Sequence, residues 1–143
     1  MNRIWTLILL ALMIGLSACS QSQEEKLLEY LDESTSYNII SEFNNGVLNI
    51  EIPLLDEEKT WSQDGELHIQ LETKILLDAV KKSPRKELNL FEEVNLHYIT
   101  KETSKIVAEI QVKGSTLMDT DWENLDTNEV PKYVDHYTFK GNK

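Results

Sequence analysis

The chain is poor in cysteine and short of positive charge. Cys19 is its only cysteine. An internal disulfide is therefore excluded, and residues 20–143 can supply neither a cysteine nucleophile nor a thiolate-bound metal site. The 14 lysines and arginines are outnumbered by 25 aspartates and glutamates, which gives a formal net charge of −11. A chain this acidic is repelled by nucleic acid, so we expect no nucleic-acid partner.

The chain also lacks an apolar run long enough to cross a membrane. Its longest apolar stretch, residues 4–16, is shorter than the roughly 20 residues that a spanning helix needs. The stretch follows the positively charged Arg3 and ends at Leu16, the first residue of Leu16-Ser17-Ala18-Cys19. A polar run comes directly after Cys19. A charged start, a short apolar region and small residues before a cleavage point are the layout of a secretory signal. The length disfavours the alternative of an uncleaved transmembrane anchor.

The four residues Leu16-Ser17-Ala18-Cys19 resemble the lipobox of bacterial lipoproteins. The resemblance implies cleavage after Ala18, lipidation of Cys19, and a mature chain anchored by its N-terminus at the extracytoplasmic face of the cell membrane. Two or three acyl chains on one cysteine would anchor it stably. We therefore expect a signal peptide over residues 1–18, a polar tether over 19–25, and one extracytoplasmic domain over 26–143.

Two segments have the apolar spacing of helices. Residues 23–32 place three leucines on one side and acidic residues on the other. A second helix is predicted from a capping box at Thr60 to about Lys82, with Leu71, Ile75 and Ala79 in one apolar row. A neighbouring row contains Ile69, Leu76 and Val80, and the polar side contains Gln70, Lys74, Asp78 and Lys81. Residues 66–72 also alternate as a strand would, but the helical period continues to Val80.

The clearest structural signal is a hairpin around Asn45-Gly46. This dipeptide suits a two-residue type I′ turn, in which both positions need positive φ. The flanking strands, residues 36–43 and 47–54, then pair Phe43 with Leu48 and Ser41 with Ile50. The same register pairs Ile39 with Ile52 and Tyr37 with Leu54, and it leaves Ile40 on the polar side. Pro53 suits the end or edge of a strand.

The second half predicts two more strands and a tail of mixed structure. Residues 94–100 and 106–113 alternate as strands, with no glycine in the turn between them to define a register. Phe91 is expected to enter the core. In the tail, residues 118–125 suit a short helix and residues 133–139 a final edge strand. The expected class is α+β: an antiparallel sheet of about four strands, built from two hairpins and packed against one main helix, in the order α-β-β-α-β-β plus tail.

The best candidate metal site is an acidic segment containing Asp119, Asp121 and Glu123. Alternating oxygen ligands imitate the start of a calcium loop. The match then fails. Asn124 stands where a calcium loop has its glycine, and Val130 stands where it has the glutamate that binds the ion with both oxygens. An acidic surface turn with Trp122 packed inward is the favoured interpretation. We expect no cofactor, and no metal beyond this weak candidate.

Histidines and basic residues give little further signal. His68, His97 and His136 are far apart in sequence and lack metal-ligand spacing. The one basic cluster, residues 81–86, could contact anionic lipid or wall polymer. We favour a simpler role, since cations at a helix C-terminus complement its dipole.

Three functional hypotheses follow. The first is a non-catalytic binding or accessory lipoprotein of the cell envelope, anchored by lipid and contacting an envelope protein. A sheet edge could accept that partner. The second is an immunity-type lipoprotein that intercepts a cationic toxin at the membrane. The third is a metal-dependent hydrolase built from Asp119, Asp121, Glu123 and His136.

Overall fold

The computed structural model describes residues 23–35, 38–54, 63–83 and 91–141. In chain order these ranges contain α1 (Gln23–Ser34), β1 (Ile40–Asn44), β2 (Val47–Leu54), α2 (Gln63–Lys82), β3 (Glu93–Thr100), β4 (Ile106–Lys113), α3 (Gly114–Asp119), a 3-10 turn (Thr127–Glu129), α4 (Val130–Tyr133) and β5 (His136–Phe139). The class is α+β, as expected. Residues 66–72 are helical, which resolves their ambiguity in favour of α2.

The β1–β2 hairpin has the predicted turn and register, but its ladder begins at Ile40, so the expected pair of Ile39 with Ile52 is not part of it. Asn45 and Gly46 have φ values of 50° and 81°, as a type I′ turn requires. Phe43 pairs with Leu48, and Ser41 pairs with Ile50. Ile40 lies on the polar side and is exposed. Turn chemistry and apolar pattern agree here, so a local signal was sufficient to specify the pairing.

The sheet is mixed and contains five strands in the order β1-β2-β3-β4-β5, so the expectation of about four antiparallel strands is wrong. β2 and β3 are parallel neighbours, with Leu48 beside Val94 and Ile52 beside Tyr98. The cause is α2. An eight-residue strand is about 26 Å long and a 20-residue helix about 30 Å, so the helix returns the chain to the end where β2 began. β3 then runs in the direction of β2.

The β3–β4 hairpin obtains its turn without glycine. Ser104 takes a left-handed conformation with φ of 52°. The Thr100 and Thr103 hydroxyl oxygens lie 2.6 Å apart, and the Lys105 amide donates to Thr100 Oγ1 at 3.1 Å. The ladder shifts by one residue between Tyr98 and Ile99. Short polar side chains thus close the turn by hydrogen bonds to nearby groups.

The tail differs from the predicted pattern. The first helix of the tail, α3, covers Gly114–Asp119. The expected helix covered residues 118–125. A side chain at position 114 would approach the Phe91 carbonyl oxygen to 1.9 Å, so glycine is required where β4 turns into α3. The predicted final strand is present as β5, which pairs antiparallel with β4 at the edge of the sheet.

One face of the sheet packs against the helices. Buried residues of α1, α2 and α3 form a single apolar cluster with alternate residues of β2, β3 and β4. Phe91 joins this core as expected, and its ring meets that of Phe43 edge to face at 5.7 Å. The domain therefore has two layers, with the opposite face of the sheet carrying the other alternate residues.

Candidate interaction surfaces

The outer side of α2 carries an exposed apolar stripe, formed by Leu67, Leu71 and Ile75. These side chains are 50%, 42% and 46% exposed. They follow one another at four-residue spacing, so they form one row along the helix surface. Successive residues rotate by 100°, which places this row roughly 150° from the buried row of Ile69 and Leu76. The apolar stripe therefore points away from the sheet.

This arrangement corrects the predicted faces of α2. Ile69, Leu76 and Val80 are buried, whereas Leu71 and Ile75 are not. Gln70, which was assigned to the polar side, is only 8% exposed. Periodicity alone located two adjacent apolar rows. Packing on the sheet buried one of them and left the other in solvent.

Polar side chains take part in the inner face of α2. Thr73 is fully buried, and its Oγ1 lies 2.9 Å from the hydroxyl oxygen of buried Tyr98. Glu72 is 2% exposed, and His68 Nε2 lies 2.7 Å from its Oε1. Buried polar groups are tolerated when they are hydrogen-bonded. These contacts give the Thr73 hydroxyl and Glu72 Oε1 polar partners within the packed layer.

A second contact joins α2 to the edge strand β5. The Tyr137 hydroxyl donates to Glu66 Oε1 at 3.3 Å, and Gln70 Nε2 lies 3.5 Å from the same hydroxyl oxygen. Burial, together with the nearby Glu66 carboxylate, raises the pKa of Tyr137 to about 12. Tyr137 therefore stays protonated at neutral pH and can act as a hydrogen-bond donor. The contact locates β5 against the start of α2.

The sheet face opposite the helices is mainly polar in its central rows and carries both signs of charge, since Lys113 pairs with Glu93 and Lys140 lies near Glu109. One row across it contains Glu42, Asn49, Asn95, Gln111 and His136. The next row contains Ile40, Glu51, His97, Glu109 and Thr138. We call this surface the open face, because the buried residues of the described helices pack on the opposite face of the sheet. Its residues are partly or fully exposed.

Hydrogen bonds order part of the open face. Asn95 Nδ2 donates to Asn49 Oδ1 at 3.1 Å and to Glu93 Oε1 at 3.0 Å. Lys140 lies 3.4 Å from Glu109. The open face thus combines oriented amides with glutamates at positions 42, 51, 93 and 109. Such a surface offers hydrogen-bond acceptors and negative charge to a molecule that lies across the strands.

The acidic segment after α3 is held by two lysines of α2. Lys82 Nζ lies 2.8 Å from both Glu123 Oε2 and Asp78 Oδ2, and these contacts raise the pKa of Lys82. Lys81 Nζ donates to the Thr120 carbonyl oxygen at 2.8 Å. The two cations at the end of α2 therefore attach the segment to the helix, which adds a contact to the expected dipole role.

The carboxylates of this segment do not converge. Asp121 Oδ2 accepts from Asn124 Nδ2 at 2.9 Å, and this bond lowers the pKa of Asp121. Trp122 packs inward, fully buried, and its Nε1 donates to the Leu117 carbonyl at 2.9 Å. Across the described part of the chain, no group of three or more acidic, histidine or cysteine side chains is arranged to hold a metal ion.

The histidines are dispersed over the molecule. His68 lies on the exposed side of α2, while His97 and His136 belong to different rows of the open face. His136 and the Asp121 segment therefore lie on opposite sides of the sheet. The catalytic grouping that the hydrolase hypothesis needs is not assembled by the described residues.

Several predicted features fall outside the described residues. They are the lipobox with Cys19, the strand residues Ser36 and Tyr37, the Thr60 capping box, and the basic residues Arg85 and Lys86. None of the helices in the described ranges is both long enough and apolar enough to cross a membrane.

The open face and the apolar stripe were not identified from the sequence. Alternation in the strands did indicate which residues share a face, but the number and order of strands decide which rows become neighbours. In comparisons with known proteins, no family model matches the chain. No curated protein matches it. No solved structure matches it either.

Proposed function

We propose that this chain is a lipid-anchored, non-catalytic binding protein of the bacterial cell envelope, and that its open face contacts a partner protein with a basic surface. The leader pattern ending at Cys19 supports the anchor. The observation that carries the binding role is the open face itself, with its amides and glutamates on β1 to β4. Complementary charge accelerates association and favours the correct partner over others.

The charge of the whole chain supports the same partner chemistry. A formal net charge of −11 repels anionic membrane lipids and wall polymers. A basic envelope protein is attracted instead. Glu42 and Glu51 are diagonal neighbours on β1 and β2, since Glu42 pairs with Asn49 and Glu51 with Ile40, so they present charge near the β1 end of the strand order.

The test is affinity capture from native envelopes with the lipidated protein as bait. A Cys19→Ser variant, which cannot be lipidated, tests the anchor. The double variant Glu42→Lys/Glu51→Lys reverses charge on the open face. Its matched control is Asp32→Lys/Glu33→Lys, which makes the same charge change at exposed positions on α1.

A partner that the control variant retains and the open-face variant loses supports the proposal. Membrane fractionation should place wild type in the membrane and Cys19→Ser outside it. Capture that survives Glu42→Lys/Glu51→Lys would remove the open face from the proposal. Identical fractionation of wild type and Cys19→Ser would remove the lipid anchor.

A further inference from the structure

The exposed apolar stripe on α2 is a second surface, separate from the open face. Its three side chains lie on the back of the helix layer, and the open face lies on the other side of the sheet. A continuous i,i+4 row of large aliphatic side chains forms a ridge of the kind by which helices pack together. Three large aliphatic side chains in one row form a contiguous apolar patch, whereas single exposed apolar residues are normal on any surface.

We infer that the stripe docks against the same stripe of a second copy of this chain, with the two α2 helices antiparallel. The pattern is self-complementary. When Leu71 faces Ile75 of the second copy, symmetry makes Ile75 face Leu71 of that copy. A two-fold contact of this type uses one surface patch on both partners, and it is the commonest form of oligomer.

The charges that flank the stripe match this antiparallel register. In it, Asp64 of each copy faces Lys82 of the other copy. Asp64 is exposed, and the Lys82 side chain remains 51% exposed while it contacts Asp78 and Glu123 of its own chain, so both groups are accessible. α2 is acidic in its first turn and basic in its last turn. Opposite charges therefore meet at both ends of an antiparallel pair, whose helix dipoles also oppose.

The contact is small. Stable interfaces bury about 800 Å² on each partner, and one helix ridge provides less. We therefore expect a weak dimer, with a Kd on the order of 100 µM for the isolated protein. Lipidation of Cys19, as proposed above, would confine the copies to one membrane and raise their effective concentration. The dimer itself does not depend on that anchor.

The test is sedimentation equilibrium of the full chain in a non-ionic detergent. Two variants place like charges across the contact: Leu71→Lys/Ile75→Lys and Leu71→Glu/Ile75→Glu. Each alone should bind itself at least about tenfold more weakly than wild type. A mixture of the two should form a one-to-one heterodimer. Because the substituted positions are exposed, circular dichroism should show unchanged helix content.

The matched control is Ile40→Lys, which introduces a charge at another exposed aliphatic residue, 61% exposed on the open face. It should dimerise like wild type. Three results would overturn the inference: a monomeric wild type at all concentrations, a mixture of the opposite-charge variants that stays monomeric, or an equal loss of dimer in Ile40→Lys. The last would show that general apolar association, or the open face, is responsible.

Discussion

Each side of α2 departs from the usual separation of polar and apolar residues. The side that packs on the sheet buries Thr73 and Glu72, while the opposite side exposes Leu67, Leu71 and Ile75. Both sides contain leucines at helical spacing. Burial of a residue on α2 therefore depends on whether the folded domain places a neighbour or solvent against it. Thr73 meets the Tyr98 hydroxyl, and Leu71 meets solvent.

The inner side of α2 contributes to the stability of the fold, and the outer side is available for contact with another molecule. Residues on the inner side contribute to folding because they leave water when the helix packs on the sheet. Residues on the outer side leave water only when another molecule covers them. Substitutions on the two sides should therefore differ in effect, even when they make the same chemical change.

The largest contrast is expected between Leu76→Ala and Leu71→Ala. Both change leucine to alanine within the same helix, so intrinsic helix propensity affects them equally. Leu76 is fully buried, and its truncation should lower the free energy of unfolding by about 3 kcal/mol, since it removes packed methyl groups and leaves a cavity. Leu71→Ala should change it by less than about 0.5 kcal/mol. Urea unfolding followed by circular dichroism measures both, and equal losses would contradict the assigned faces.

An intermediate effect is expected from the buried polar contact on the inner side. Tyr98→Phe removes the hydroxyl 2.9 Å from Thr73 Oγ1 and should cost about 1–2 kcal/mol, because a buried group loses its partner. Thr73→Val should cost a similar amount.

The double variant Tyr98→Phe/Thr73→Val sharpens this test. It removes both polar groups, so its loss should be smaller than the sum of the two single losses. Additive losses in the same unfolding measurement would show that the two hydroxyls do not interact.

The smallest effect is expected far from α2, where Asp135 joins β4 to β5. The Lys113 amide donates to Asp135 Oδ2 at 2.8 Å and lowers the pKa of Asp135 from its usual value of 3.8. A lowered folded-state pKa adds stability above the unfolded-state value, and this stability is lost as pH falls through the folded-state value. The contribution should be under about 1 kcal/mol, since the residue is exposed enough for solvent screening.

Asp135→Asn measures that contribution. At pH 7 the variant should be slightly less stable than wild type in urea, and at pH 3 the gap between them should narrow. A gap that stays constant between these pH values would assign the contact to hydrogen-bond geometry alone, without a role for charge.

The first two helices and the first hairpin could be predicted from the sequence, and the helices of the tail and the arrangement of the sheet could not. Asn45-Gly46 defined a turn that permits one register, so β1 and β2 were paired correctly. The parallel pairing of β2 with β3 has no comparable dipeptide. The parallel pairing depends on the end of the sheet to which α2 returns the chain. That end is fixed only when the helix packs on the sheet.

The candidate surfaces show the same division. Alternation along β2 and β3 indicated polar sides for single strands, but the rows of the open face exist only once five strands are in order. The acidic segment was visible in the sequence as a possible cation site. Its attachment to Lys81 and Lys82 joins residues about 40 positions apart, and no local pattern encodes that contact.

The sequence by itself determined the acidic charge, the helix at α1, most of α2 and the β1–β2 hairpin. These are short-range properties, set by neighbouring side chains and by turn geometry. Tertiary structure alone decided which apolar row of α2 faces the core, that β3 runs parallel to β2, and which polar residues form the open face. The physical reason is that burial is shared between elements distant in the chain, so it is settled only when the layers pack together.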